Sequence, residues 1–191
     1  AFWQANYEQL TNLFPEFKDV SVDELVNMIN KTECALIRTE ADELTYPLHI
    51  MVRYEIEKEI AKGNVDYDKL PELWADKYEE YLGVRPANYK EGVLQDMHWS
   101  TGYLGYFPTY ALGSAYAAQL YATMEKQFDV EEALLTNHFE KITDWLKDNV
   151  HHYAASKSMA EIVEEVSGEP FNPDYYTDYL IKKYKKLYNL D

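Results

Sequence analysis

The sequence predicts an all-α protein, and two observations support this fold class. Apolar residues recur at intervals of three and four along most of the chain, and this spacing places them on one face of a helix. No convincing run of alternating apolar and polar residues bounded by turn residues is present, so no strand is expected. The segments with the helical period correspond to seven or eight helices.

Local signals indicate where several of these helices begin and end. Ser21 and Glu24 have the spacing of a capping box, in which a hydroxyl and a carboxylate satisfy each other's backbone amides. Ser158 and Glu161 repeat the same spacing before another amphipathic segment. That second helix should end at Gly168, because glycine readily adopts the left-handed conformation that terminates helices.

The remaining helices follow from apolar spacing and from proline. Asn172 and Pro173 provide an N-cap and a first-turn proline for the last helix. The longest helices are expected from about 40 to 62 and from 108 to about 128. Pro47 lies inside the first of them and should kink or break it, because proline lacks an amide hydrogen. One further helix should carry a single apolar face formed by Leu135, Phe139, Ile142 and Leu146.

Composition narrows the classes of function. With 191 residues, 47% of them hydrophobic, the chain can form one helical domain over residues 1–191. A net charge of −16 argues against nucleic acid as a partner, which requires a basic face, and against anionic membrane surfaces. No long apolar run or signal peptide is recognisable, so a cytoplasmic protein is expected. Because the chain opens on Ala1 and large aromatic residues, it is expected to be part of a longer protein.

Cysteine and histidine form no recognisable site on their own. Cys34 is the single cysteine, so it cannot form an intramolecular disulfide, and it is interpreted as a buried or half-buried apolar residue. Neither the His-Glu-x-x-His zinc signature nor Glu-x-x-His is present, which disfavours an unrelated four-helix metal carrier. His49 is interpreted as a hydrogen-bonded core residue and His138 as facing solvent or an acidic neighbour. His151 and His152 are interpreted as a surface pair.

Two stretches carry a more specific signal. Residues 37–42 read Ile-Arg-Thr-Glu-Ala-Asp, and residues 92–99 read Gly-Val-Leu-Gln-Asp-Met-His-Trp. They resemble the Ile-Arg-x-x-Ala-Asp and Gly-x-x-Gln-Asp-x-His-Trp signatures of carboxypeptidase Taq-type zinc metallocarboxypeptidases, in order and in separation. The resemblance covers nearly the whole chain. It continues through residues 43–46, 49–51, 73–74, 79–84 and 105–110.

This resemblance implies a fold and an activity. The fold would be part of a neurolysin-like all-α peptidase, and the activity would be removal of C-terminal residues from peptides by zinc-activated water, at a site that also accepts cobalt. The family carries its zinc ligands and general-base glutamate upstream of the segment with which this chain begins. No metal is therefore expected in this chain, and it should be inactive alone. Pro47 stands where the family pattern has asparagine, which is a local departure from that pattern.

The resemblance also indicates the catalytic residues. Attack of water on the scissile carbonyl creates an oxyanion, which hydrogen-bond donors must stabilise. In neurolysin-like peptidases a histidine followed by tyrosines on a glycine-rich segment fills this role. His98, Tyr106 and Tyr110 are the corresponding candidates, and Tyr103 is a weaker one.

Substrate binding is assigned to Arg38, because a guanidinium can bind the terminal carboxylate of a peptide through two hydrogen bonds. Arg53 and Arg85 are interpreted as solvated or structural ion-pair residues. Side chains around a site of this kind orient their neighbours through hydrogen bonds. That role is expected for three residues of the two motifs, Asp42, Gln95 and Asp96.

The expected partner is a peptide with a free C-terminus, and the full-length protein is expected to form a homodimer like members of the family. The alternative hypothesis is a non-catalytic helical module that binds a partner or mediates dimerisation. Exposed apolar surface would favour such association. Activity of the full-length protein distinguishes the two hypotheses.

Overall fold

The protein is described by a computed structural model covering residues 1–190, which consist of α-helices, short 3₁₀ turns and loops. No strand occurs in this range, so the all-α prediction is confirmed. The α-helices are α1 (Phe2–Leu13), α2 (Val22–Ile29), α3 (Tyr46–Ala61), α4 (Leu70–Leu82), α5 (Pro108–Glu125), α6 (Val130–Leu135), α7 (Phe139–Asn149), α8 (Met159–Ser167) and α9 (Asp174–Tyr188).

The capping signals operate as predicted. The Ser21 amide donates to Glu24 Oε2 at 2.9 Å, and the Glu24 amide donates to Ser21 Oγ at 3.2 Å. The same reciprocal box begins α8, which ends at Gly168 with φ of 78°. At α9 the Asn172 side chain accepts from the amide of Asp174, the first helical residue. Pro173 therefore occupies the N-cap rather than the first turn, a shift of one residue from the prediction.

Two helix predictions were wrong. The structure has nine α-helices in residues 1–190 rather than seven or eight, since Leu135 and Phe139 belong to different helices. Asn137 between them has φ of 57°, a conformation that asparagine tolerates and that ends a helix. Pro47 does not kink α3, because the helix begins at Tyr46. In the first turn the missing amide hydrogen would have had no partner within the helix.

The chain divides into two compact units, each with its own core. The central unit is Asn30–Gly113, and the terminal unit is Ala1–Ile29 with residues 114–190. Large apolar side chains of α3 and α4 form the core of the central unit, namely Val52, Ile56, Trp74, Tyr78 and Leu82. The core of the terminal unit contains Leu120, Met124, Val130, Trp145 and Val163. The expectation of a single domain over residues 1–191 stays a prediction.

Most interpretations of isolated polar residues are confirmed. His138, His151 and His152 are exposed, and His138 Nδ1 lies 2.8 Å from Thr136 Oγ1. Cys34 is exposed, so its interpretation as a buried or half-buried residue was wrong. It lies in an irregular segment after α2, where no helix face directs it inward. Within residues 1–190, no helix has both the length and the apolarity that crossing a bilayer requires.

Ala154 has an unfavourable backbone conformation. Its φ of 47° and ψ of −121° lie in a region that favours glycine, because the Cβ of other residues is crowded there. Ala154→Gly is expected to raise the free energy of unfolding by about 1 kcal/mol. Urea unfolding would measure this. Ala155→Gly is the control, because Ala155 is not among the residues with positive φ and should lose stability on replacement. Equal losses in both variants would contradict the expectation.

Candidate functional site

The two signature segments are joined through Gln95. Its Oε1 accepts from the Arg38 amide at 3.0 Å and from Arg53 Nη2 at 2.9 Å. Its Nε2 donates to the carbonyl oxygens of Leu36 at 3.1 Å and Glu91 at 2.8 Å. All four hydrogen bonds available to a glutamine side chain are therefore made, and they fix residues 36–38 against the segment that carries His98.

Asp96 pairs with two arginines at once. Its Oδ1 accepts from Arg38 Nε at 3.1 Å and Nη2 at 2.7 Å, and its Oδ2 accepts from Arg53 Nε at 2.7 Å. Burial alone would raise the pKa of Asp96, but the hydrogen bond from Arg38 and the charge of Arg53 hold it below its ordinary value. All three side chains are at least nine-tenths buried. Two guanidinium groups on one carboxylate leave one surplus positive charge in this cluster.

Arg38 keeps hydrogen-bonding capacity beyond this pairing. Its Nη1 donates to the Tyr46 hydroxyl at 2.9 Å, so three of its five N–H groups have partners within residues 1–190. The guanidinium carbon lies 5.0 Å from the centre of the Tyr110 ring and 5.5 Å from that of Phe107. Arg38 is therefore held in one orientation, and two of its N–H groups make no hydrogen bond within residues 1–190.

Arg53 supports the cluster from α3. It is fully buried and donates through Nη1 to the carbonyl of His49 at 2.7 Å and to the Tyr78 hydroxyl at 3.0 Å. Its guanidinium carbon lies 4.5 Å from the Trp74 ring centre. The interpretation of Arg53 as a structural ion-pair residue is confirmed.

His49 is a buried, neutral histidine. Its Nδ1 lies 3.0 Å from the Tyr78 hydroxyl, which confirms the interpretation as a hydrogen-bonded core residue. Burial and the positive charges of Arg53 and Arg38 lower the pKa of His49 to about 4. The Tyr78 hydroxyl accepts from Arg53, so its own proton is available to His49 Nδ1. The imidazole therefore adds no charge to the cluster at neutral pH.

The three predicted oxyanion donors lie together. His98 Nε2 is 3.2 Å from the Tyr110 hydroxyl, and the rings of His98 and Tyr106 are stacked with centres 5.6 Å apart. Tyr106 and Tyr110 meet edge to face at 5.4 Å. Tyr103, the weaker candidate, is 60% exposed and contacts the edge of Tyr106. The glycine-rich segment thus brings a histidine and two phenols to one place.

The Tyr110 hydroxyl remains a proton donor at neutral pH. Burial, followed by the neighbouring Tyr106, raises the pKa of Tyr110 above its ordinary value. His98 Nδ1 faces the opposite way and lies 4.0 Å from Asp96 Oδ1. His98 therefore lies between the Asp96 cluster and Tyr110, and the two parts of the site are continuous.

A comparison with known protein families decides the classification of this arrangement. The sequence profile of the carboxypeptidase Taq (M32) metallopeptidases matches residues 1–184. This chain belongs to that family.

Relatives and solved structures of the M32 family cover the chain almost completely. Carboxypeptidase 1 of Bacillus subtilis is 46% identical over 191 residues, which is 99% of this chain and 38% of that protein. Thermostable carboxypeptidase 1 of Thermus thermophilus is 40% identical over 188 residues, or 98% of this chain and 37% of that protein. The crystal structure of the M32 carboxypeptidase from Deinococcus radiodurans superimposes with a TM-score of 0.95 at 34% identity, covering 98% of this chain and 38% of that one. This chain thus spans well under half the length of its M32 relatives.

The described part of this M32 chain does not fit a catalytic metal ion. Residues 1–190 contain no group of three or more His, Cys, Asp or Glu side chains arranged to hold one. Asp96, whose Oδ1 lies 4.0 Å from His98 Nδ1, is paired with two arginines.

The third predicted orienting residue, Asp42, acts on the backbone before α3. Its carboxylate accepts from the amides of Leu44 at 2.9 Å and Thr45 at 3.0 Å, and from the Thr32 hydroxyl at 2.7 Å. This turn leads into Tyr46, whose hydroxyl accepts from Arg38. Asp42 thus orders the turn that precedes Tyr46, and it makes no hydrogen bond to the Arg38 guanidinium.

Sequence reasoning missed two site residues, Tyr46 and Glu57. Glu57 Oε1 accepts from Trp99 Nε1 at 2.9 Å and from the Gly105 amide at 3.0 Å. The available signal was the spacing of His49, Arg53 and Glu57, which repeats every four residues and so marks one polar face on a buried helix. Tyr46 lies within residues 43–46, which the family resemblance covers, but nothing in that stretch indicates that its hydroxyl meets Arg38.

Proposed function

We propose that this chain forms the substrate-carboxylate-binding and oxyanion-stabilising part of a metallocarboxypeptidase that hydrolyses C-terminal residues from peptides. The observation that carries the proposal is the position of Arg38, with two N–H donors left, beside the ring of Tyr110. A peptide's terminal carboxylate and its last peptide bond are separated by about one residue, a step of roughly 3.8 Å. The Arg38 guanidinium can bind the terminal carboxylate while the neighbouring tyrosine hydroxyl donates to the carbonyl of the last peptide bond.

Each part of the site then has a chemical task. Arg38 binds the terminal carboxylate through its two remaining donors, and the surplus positive charge of the Asp96 cluster favours this anion. Tyr110, Tyr106 and His98 donate hydrogen bonds to the oxygen of the scissile carbonyl as negative charge develops there. Asp96 and Gln95 hold Arg38 in orientation, so that binding the C-terminus also places the last bond beside the donors.

The remaining parts of the enzyme are proposed to come from the rest of the protein. The zinc or cobalt ion and the water-activating base would be supplied there, so that residues 1–191 alone hydrolyse no peptide. The full-length protein is proposed to act in the cytoplasm as a homodimer. These points rest on the resemblance to the family.

Replacement of Arg38 tests the carboxylate assignment. In the full-length protein, Arg38→Ala is expected to lower kcat/KM roughly tenfold to a few hundredfold, because a hydrogen bond to a charged group contributes about 1.5–3 kcal/mol. Arg38→Lys should recover little, since an ammonium group cannot form the planar bidentate contact. Arg85→Ala is a matched control, because Arg85 is an exposed arginine that pairs with Asp76 and Glu79.

A C-terminally amidated peptide completes this experiment. It lacks the carboxylate, so the wild-type protein and Arg38→Ala should both hydrolyse it slowly and at similar rates. Equal hydrolysis of amidated and free peptides by the wild-type protein would refute the assignment of Arg38. Hydrolysis of neither peptide would favour the non-catalytic helical module.

A further inference from the structure

Glu57 is a buried carboxylate with few partners. It is 6% exposed, and only its Oε1 is hydrogen-bonded, to the Trp99 indole and the Gly105 amide. Its Oε2 is buried without a partner, and Glu57 forms no ion pair with any residue in the described chain. Burying a carboxyl group with so little compensation is unfavourable whether or not it is ionised. Stability of the fold alone gives a poor account of this residue.

The two donors to Glu57 lie at the two ends of one loop. Trp99 directly follows His98, and Gly105 directly precedes Tyr106. The loop between them, residues 99–105, contains the 3₁₀ turn Trp99–Thr101. A single oxygen of Glu57 therefore accepts hydrogen bonds from the sequence neighbours of two of the three proposed oxyanion donors, His98 and Tyr106.

Beyond the hydrogen bonds to Glu57, this loop is anchored through the Trp99 ring, which packs on the core of the central unit with its centre 5.7 Å from that of Trp74. Residues 100–106 are all exposed, with Tyr103 at 60% and Leu104 at 53%. Gly102 and Gly105 have φ values of 84° and 79°, which glycine adopts without strain. Because glycine is free to adopt many backbone conformations, these two residues do not themselves hold the loop in one conformation. The hydrogen bond from Gly105 to Glu57 is thus the main connection of the exposed part of the loop to a rigid element, and the bond from Trp99 adds to the ring packing of that residue.

That rigid element is α3, and two side chains on one of its faces bind the segment 95–105. Arg53, one turn before Glu57, bonds to Gln95 and Asp96. Together the two side chains hold the segment at Gln95, Asp96, Trp99 and Gly105. His98 lies between the second and third of these attachment points.

From these contacts we infer that Glu57 is a positioning residue that closes the 99–105 loop on α3 and thereby fixes the separation of His98 and Tyr106. The inference rests on the proposed function, since it concerns the geometry of the proposed oxyanion donors. Glu57 acts through the loop and does not itself contact these two side chains. Burying the Glu57 carboxyl group is unfavourable for stability, but it has a catalytic benefit in this role. Misplacement of such donors by about 1 Å can lower a rate by up to roughly a hundredfold.

Variants of Glu57 in the full-length protein test this inference. Glu57→Leu removes the acceptor while filling the space, and it is expected to lower kcat roughly tenfold to a hundredfold with KM unchanged. Glu57→Gln keeps an Oε1 acceptor for both donors and should restore most of kcat. Glu55→Gln is the control on the same helix, because Glu55 bonds to Tyr81 and Lys77 away from the loop.

Hydrogen exchange gives a second measurement that does not depend on activity. Exchange of the Gly105 amide, followed by mass spectrometry of a peptide that contains it, should be faster in Glu57→Leu and close to wild type in Glu57→Gln. Thermal unfolding should show that both variants remain folded, because each removes a buried carboxyl group.

The outcomes separate this inference from the proposed function. If Glu57→Leu keeps full kcat while His98→Ala loses activity, the positioning role is wrong and the proposed function stands. If His98 and Tyr106 variants keep full kcat, the proposed function is wrong and the positioning role falls with it. A loss of kcat in Glu57→Leu matched by an equal loss of folded protein, or no rescue by Glu57→Gln, would also overturn the role of Glu57.

Discussion

Tyr110→Phe in the full-length protein is expected to lower kcat by about a hundredfold to a thousandfold, the usual loss when one oxyanion donor is removed. The ordinary pKa of a tyrosine, about 10, already keeps the phenol protonated at neutral pH, and burial raises the pKa of Tyr110 further, so the wild-type side chain can donate to the developing negative charge. His98→Ala should cause a loss of similar size. Steady-state kinetics on a peptide with a free C-terminus measures both.

The contact between these two side chains sharpens the expectation. Since His98 Nε2 and the Tyr110 hydroxyl are 3.2 Å apart, the effects of the two replacements should not add. The double variant should lose little more than either single variant. Tyr121→Phe is the control, because Tyr121 lies on the same helix and outside the donor cluster. Unchanged kcat in Tyr110→Phe or His98→Ala would make that residue structural.

Asp96→Asn is expected to lower the free energy of unfolding by about 3–5 kcal/mol, because it leaves two buried guanidinium groups without a counter-charge. This is a large part of the stability of a typical domain. Asp76→Asn is the control. Asp76 pairs with Arg85 at the surface, and an ion pair of this kind was predicted for Arg85 from the sequence. Asp76→Asn should lower the free energy of unfolding far less than Asp96→Asn does.

The effect of Asp96→Asn should depend on pH in a defined direction. The folded-state pKa of Asp96 lies below its ordinary value of 3.8, so its stabilising contribution is fully present above that value. It is lost as pH falls through the lower, folded-state pKa. Urea unfolding of wild type and variant should therefore differ most near neutral pH and converge in strong acid. A difference that grows as pH falls would contradict this assignment.

Local rules predicted the helix ends well because the responsible groups are adjacent in sequence. Ser158, Glu161 and Gly168 act within α8, and the structure shows each in its expected role. Pro47 was misread because the start of α3 is set by the turn around Asp42, whose hydrogen bonds reach Thr32, ten residues earlier. Spacing alone does not reveal such a turn.

The motifs predicted which segments form the site but not how their charges are paired. The sequence does not indicate that Arg53 and Arg38 share Asp96. Arg53 lies 43 positions from Asp96 and Arg38 lies 58 positions from it, so no local spacing connects them. Glu57 was missed for a related reason. Its partners are an indole and a backbone amide, and a backbone amide leaves no trace in the residue sequence.

The long sequence separation within the Asp96 cluster has a consequence for folding order. Helices α3 and α4 are joined by a short connection and share a core, so they can pack early. Bringing Asp96 to Arg38 closes a loop of 58 positions, and the entropy of closing such a loop opposes early formation. The ion pairs of Asp96 with the two arginines should thus form after α3 and α4 have packed together. These ion pairs should be largely absent from the transition state for folding. Damage to the cluster would then mainly accelerate unfolding and leave the rate of folding nearly unchanged.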